Sequence, residues 1–432
     1  MARMLDVYFH SNLVGHLIQD DGGQMVFDYS ETWIESPTSI PLSQSLPLRK
    51  ERFTRNECQG FFAGILPEEG KRETIAHNLG ITPKNDHAML EQIGGECAGA
   101  VTFVPAGGPL PEKNYHYRKL GDEELATILK ALPHRPLMTG GDEGVRLSLA
   151  GVQDKIAVHI NGENISLPLG GAPSTHILKP AIERFEGVVF NEAICMKLAD
   201  KVGLPTAQVE ICTVEGIDFL MVERYDRTLV PGGLFGPPIM MYETKRLHQE
   251  DFCQALAVPP HKKYQSEGGP SLKQCFDLVR EVSSVPAIDL QCLLDAVVFN
   301  ILIGNNDAHS KNFSLLYDES PSLTTRLLEN NLLIKLAPLY DLVSTAYYPE
   351  LSPKMAMKLG EEYISDKLVP KHFERLAEET GFAKKMAVKR VLEFTEIVKE
   401  AMNDIDIDHK VAHEVTALIK IRCELFSNRF RS

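Results

Sequence analysis

At 432 residues the chain is longer than one ordinary hydrophobic core supports, so two or three domains are expected. Its 44% hydrophobic and 24% charged residues are those of a soluble globular protein, and no run reaches the ~18 uninterrupted apolar residues of a membrane span. A net charge of −14 opposes a protein whose whole surface binds nucleic acid, while leaving room for a local basic patch.

The first residues carry no signal-peptide apolar region before Asp6, which leads us to expect a cytoplasmic protein. Cys58, Cys97, Cys195, Cys212, Cys253, Cys275, Cys292 and Cys423 stand singly, with no Cys-x2-Cys pair. They read as small buried hydrophobes in a reducing compartment. In chain order, alternation at Leu5, Val7, Phe9, Leu13, Gly15, Leu17, Met25, Phe27 and Tyr29 predicts short antiparallel strands. Helical spacing covers Asn56–Leu66, and Ile93–Val104 reads as a turn feeding a strand. The Pro/Gly-rich stretch 105–111 is the clearest linker. Next come a helix over Asp122–Leu132, β-rich stretches at Gly144–Ile160 and Thr175–Lys179, and a helix over Asn191–Val202. Strands follow at Gln208–Cys212 and Phe219–Tyr225. From about residue 245 the pattern is helical: 249–257, 271–283, 287–303, 370–380, 384–402 and 409–430. These patterns predict an α+β chain with a β-rich module at 1–105, a β-rich lobe at 106–245 and an all-helical lobe at 246–432.

The segment Asn300–Phe313 carries the densest chemistry. An apolar run ends at Gly304, and Asp307 and Asn312 follow five positions apart, the Asp-x4-Asn spacing of a kinase catalytic loop. In that setting Asp307 is the base and Asn312 a magnesium ligand. A polar turn after a buried helix has the same composition. Ala150 and Gly151, within the stretch Arg146–Lys155, are small enough to let backbone amides approach phosphates, although a plain β-turn reads alike. Lys179 ends an apolar strand and is the candidate phosphate lysine, with Glu192 of the next helix as its orienting acid. The alternatives are a snorkelling lysine and a dipole-favoured first-turn Glu. Glu223 to Tyr225 lie where a hinge would meet the adenine, or form an ordinary edge strand. Asp341, after another apolar run, is the second magnesium ligand or a helix cap. His309 with Asp307 suggests a transition-metal site only weakly, since no second His or Cys lies at ligand spacing.

Ser148–Lys155, Thr175–Lys179, Val222–Arg227, Gly304–Phe313 and Pro338–Asp341, together with Ser43–Leu48, the Ile93–Val101 turn and Lys263–Pro270, resemble the HipA family of serine/threonine protein kinase toxins. The resemblance spans nearly the whole chain and implies a two-lobed, atypical kinase fold using ATP and Mg2+. It makes Asp307 the catalytic base and Asn312 and Asp341 the metal ligands. It assigns nucleotide contacts to Ala150, Gly151, Val152, Gln153, Asp154, Lys155, Lys179, Glu223, Arg224, Tyr225, His309, Ser310, Lys311, Asn312, Tyr340 and Asp341. Ser148 becomes an autophosphorylation site whose phosphate expels the loop and inactivates the enzyme. The implied partners are a HipB-like helix-turn-helix antitoxin dimer, operator DNA through that complex, and a substrate of the translation machinery such as an aminoacyl-tRNA synthetase. The implied output is growth arrest and persistence. Lys367 and Lys371 form a basic segment able to meet DNA phosphates, or a solvated helix start. Asp-Leu-Val at 341–343 and Asn305-Asn306 before Asp307 depart from ordinary protein kinases. The rival readings are a small-molecule kinase, which shares the Asp-x4-Asn spacing, and a catalytically inactive corepressor.

Overall fold

A computed structural model describes residues 3–110, 116–138, 146–182, 184–231, 242–319, 332–405 and 407–431; Pro111 and Gly144, bounds of two expected segments, lie outside them. The chain opens with β1 (Arg3–Phe9), β2 (Asn12–Gln19) and β3 (Met25–Tyr29), followed by α1 (Arg55–Gly64), α2 (Glu69–Asn78), α3 (Asp86–Ile93) and β4 (Val101–Pro105). Next come β5 (His116–Lys119), α4 (Asp122–Ala131), β6 (Ile156–Asn161), β7 (Asn164–Leu169), β8 (His176–Pro180), α5 (Val188–Lys201), β9 (Val209–Val214) and β10 (Ile217–Glu223). The remainder is β11 (Arg227–Pro231), β12 (Tyr242–Arg246), β13 (His248–Asp251), α6 (Leu272–Val282), α7 (Pro286–Ile303), β14 (Ser314–Asp318), β15 (Leu333–Leu336), β16 (Lys354–Leu359), β17 (Glu362–Ile364), α8 (Pro370–Thr380), α9 (Lys384–Ala401) and α10 (Lys410–Arg431).

The alternation read in the first thirty residues builds an antiparallel sheet of order β3-β2-β1-β4, with Leu5, Val7 and Phe9 turned inward. A six-stranded sheet, β5-β7-β6-β8-β10-β9, follows. One buried cluster joins the two sheets, running from Leu5 to Phe219. A second runs from Val189 to Phe430 and fills the helical lobe. All eight cysteines are free, and six are buried.

The C-terminal lobe is helical but not all-helical. Strands β13-β14-β15 form one small sheet and β16-β17 another. The helix expected over 249–257 begins only at Phe252, because residues 248–251 pair with 314–317. Strand β13 depends on a partner more than sixty positions away, so local spacing gives no sign of it. Residues 146–155, the expected phosphate loop within the β-rich stretch 144–160, form a loop held by isolated bridges, Leu147 to Glu96 and Gly151 to Pro67, and the strand proper begins only at Ile156.

Helix α7 is long and apolar enough to cross a membrane, yet it is the central helix of the lobe and 67% of it is buried. Its buried acids are satisfied from outside: Asp289 accepts from Ser283 and the Leu336 amide, and Asp295 takes a two-pronged bond from Arg390 at 2.7 Å. Gly304 ends α7 at φ +73, and a Cβ there would stand 2.7 Å from Ala346 Cβ. Only glycine combines that turn with that approach. The helix therefore releases the chain into the polar loop at a fixed point.

Candidate active site

A cleft of about 640 Å3 lies between the six-stranded sheet and the helical lobe. At its back is Lys179, only 6% exposed at the end of β8. Its ammonium donates to Glu192 Oε1 at 2.6 Å and to Asp341 Oδ1 at 2.5 Å. Burial alone would depress this amine, but the two carboxylates outweigh it and hold Lys179 well above the ordinary lysine value. The snorkelling alternative is thereby excluded. Helix α5 begins at Val188, so Glu192 lies in its second turn, buried, and acts through Lys179 rather than through the helix dipole. Asp341 sits at φ +59, a left-handed conformation costing an ordinary residue roughly 1–3 kcal/mol. Its side chain keeps 40% of its surface open to the cleft. Burial raises its carboxyl, yet Lys179 and Lys155 pull it well below the usual carboxylate range, so it stays ionised.

Asp307 and Asn312 share this cleft. Asn305, Asn306 and Gly304 fix the loop: Asn305 accepts from the Asp307 amide at 3.1 Å, and Asn306 is bonded to Thr345, Ser365 and the Ala356 amide. These asparagines occupy the place where ordinary kinases carry His-Arg. Tyr264 Oη donates to Asp307 Oδ1 at 2.7 Å. The Asn312 amide nitrogen donates to the Asp307 carbonyl at 3.3 Å, leaving its oxygen available to a cation. Hard oxygens from Asn312 and Asp341 suit magnesium, which takes few protein ligands and completes its shell with phosphate and water. Among the described residues no group of three or more His, Cys, Asp and Glu side chains is placed to hold a metal. His309 is buried, which pushes its imidazole below the ordinary value; it packs edge-on against Tyr264, with Nδ1 unpartnered.

The remaining candidates divide. Ala150, Gly151, Val152, Gln153 and Lys155 line the cleft. Gly151 holds φ +103, and Lys155 Nζ donates to the Ala150 carbonyl at 2.7 Å. Asp154 does not line the cleft; it pairs with Lys71 at 2.5 Å. Ser310 is fully buried, 3.0 Å from the Cys253 sulfur. Lys311 lines the wall, but its ammonium is held by Asp251 at 2.7 Å and the Gly64 carbonyl at 3.2 Å. Glu223 and Tyr225 line the expected hinge, where Tyr225 stacks on Tyr340 at 5.7 Å. The Arg224 guanidinium is spent elsewhere: it bonds Glu96, Asp226, Ser174 and the Cys97 carbonyl in a buried network. Ser148 is fully buried outside the cleft, donating to the Ile65 carbonyl at 3.0 Å. Lys367 and Lys371 are exposed around the start of α8, away from the cleft lining.

Sequence reasoning missed Tyr264, Lys263, Glu68 and the Glu96–Arg224–Asp226 network. The turn-rich run Lys263–Pro270 was the one available signal, and it gives no hint of which loop Tyr264 faces.

Residues 5–104 match the family model of the HipA N-terminal domain, and residues 147–404 that of the HipA-like C-terminal domain. Y4mE of Sinorhizobium fredii, whose name carries a provisional kinase assignment, is 44% identical over 93% of this chain and 91% of its own. The serine/threonine-protein kinase toxin HipA of Shewanella oneidensis is 29% identical over 98% of this chain and 95% of its own. A solved complex of S. oneidensis HipA and HipB with operator DNA contains a chain that superposes with a TM-score of 0.78 at 26% identity, covering 99% of this chain and 96% of that one. The chain belongs to the HipA family and has its two-lobed, kinase-like α+β fold.

Proposed function

We propose that the protein is an ATP- and magnesium-dependent serine/threonine protein kinase acting as the toxin of a toxin–antitoxin module. The observation that carries this is Lys179, buried and bonded at once to Glu192 and to the cleft-facing Asp341, in the cleft that also holds Asp307. An intact polar set of this kind is costly to bury and has no structural purpose that apolar residues would not serve as well. Lys179 orients the phosphates, and Asp307 accepts the proton of the acceptor hydroxyl as its oxygen bonds the γ-phosphorus and the bond to the β-phosphate oxygen breaks. Asn312 and Asp341 would hold magnesium, which when bound would supply positive charge against the transferred group.

The HipA relative's complex with HipB and operator DNA supports a helix-turn-helix antitoxin and operator DNA as partners here, with Lys367 and Lys371 as exposed candidates for phosphate contacts. A translation-related protein is the proposed substrate, and Ser148 the proposed autophosphorylation site. Incubation with γ-32P-ATP tests the reading. The wild-type protein labels a protein acceptor, whereas Asp307→Ala and Asp341→Ala lose the label. Label found only in a small molecule would replace this reading with a metabolite kinase; ATP binding without transfer would favour the corepressor.

A further inference from the structure

A buried charge cluster joins the N-terminal module to the catalytic loop. Glu68 stands between α1 and α2, only 6% exposed. Its carboxylate meets Lys263 Nζ at 3.0 Å and Lys311 Nζ at 3.6 Å, and Lys311 also bonds Asp251 at 2.7 Å. Two buried carboxylates thus face two buried ammoniums. Burial lifts the Glu68 carboxyl, but Lys311 and Lys263 hold it below the ordinary value, so it remains charged. Each lysine continues into the site. Lys263 precedes Tyr264, whose hydroxyl holds Asp307 at 2.7 Å. Lys311 precedes Asn312, and its carbonyl accepts from Tyr340, the neighbour of Asp341.

The same short stretch also touches the 147–155 loop. Pro67 bridges Gly151, the Glu68 amide faces the Gly151 carbonyl at 3.4 Å, and Lys71 pairs with Asp154 at 2.5 Å. Glu69, between these contacts, is held at φ +46. A left-handed glutamate persists only where its surroundings over-determine it. Here the loop and the lysine cluster are those surroundings, one on each side.

From this juxtaposition we infer that Glu68 is a positioning residue that ties the seating of the 147–155 loop to the placement of Asp307, through Lys263 and Tyr264. The inference rests on the kinase reading for its catalytic consequence. When the loop leaves, Pro67 to Lys71 lose their partners, the strain at Glu69 relaxes, and Glu68 no longer balances the two lysines. The loop then governs the base as well as the nucleotide.

The test uses the full chain as wild type, Glu68→Gln, Tyr264→Phe, the double variant, and Gly151→Val, which strains the loop at φ +103 while leaving the side chains of Glu68, Lys263 and Lys311 unaltered. Hydrogen exchange is read over 305–313, with calorimetric ATP affinity and the rate of 32P transfer beside it. Exchange over 305–313 rises in Glu68→Gln and in Gly151→Val. In Glu68→Gln and Tyr264→Phe the transfer rate falls about tenfold or more while ATP affinity stays within about twofold, and the double variant loses no more than either single one. Unchanged exchange in both Glu68→Gln and Gly151→Val overturns the inference, as do single losses that multiply in the double variant. Gly151→Val decides the exchange arm should Glu68→Gln fail to fold. Absent transfer by the wild-type protein defeats the kinase reading alone, because the exchange arm does not depend on activity.

Discussion

Lys179 is the residue on which the site's electrostatics turn. Among the described residues its amine is the one cation bonded to both Glu192 and Asp341, so Lys179→Met strands a buried glutamate. We expect a loss of about 3–5 kcal/mol in urea unfolding, partly recovered in Lys179→Met/Glu192→Gln, with ATP binding restored in neither. Equal stability of wild type and Lys179→Met would contradict the buried triad. Lys179, Asp307, Asn312 and Asp341 were legible because each sits at the end of an apolar run or at a motif spacing, both local signals. Arg224 also lines the cleft, but the buried network that holds its guanidinium was not legible. Its residue type and place suited a nucleotide, but its partner Glu96 lies 128 positions away, and no local pattern announces such a pair. Tyr264, 43 positions from Asp307, was hidden in the same way.

At the scale of elements, long helices with apolar periodicity were legible and short paired strands were not. Strand β13 is an example: four residues give too little alternation to read, and its identity comes from pairing with β14. That strand carries Glu250, buried against the N-terminal module, where it accepts from Ser43, the Gln44 amide and Tyr317. Burial lifts its carboxyl from the ordinary 4.5 to about 7. The folded state then binds a proton between those two values that the unfolded chain has released, so stability is present at low pH and falls as pH rises through the window. The expected size is about 3 kcal/mol. Urea unfolding from pH 5 to 8 should show wild type losing that much relative to Glu250→Gln. Parallel pH profiles would refute the assignment.

For the whole molecule, the decisive arrangement is a β-rich half that supplies Lys179 and the 147–155 loop, closing on a helical half that supplies Asp307, Asn312 and Asp341. Ser148 marks how tightly the loop is fitted against the N-terminal module: its hydroxyl is fully buried on the Ile65 carbonyl, with its amide on the Glu96 carbonyl, and has no room for a dianion. Ser148→Asp is expected to free the loop, giving faster trypsin cleavage at Arg146 or Lys155 and weaker ATP binding. An unaltered digestion pattern would rule that out. The account depends most on one nucleotide cleft assembled from both halves, and calorimetric titration of ATP with magnesium reads it directly. Wild type and Asp307→Ala should bind with similar affinity, because the base does not hold the nucleotide, while Lys179→Met and Asp341→Ala should bind at least about tenfold more weakly. No binding by the wild-type protein, or equal binding by all four, would contradict it.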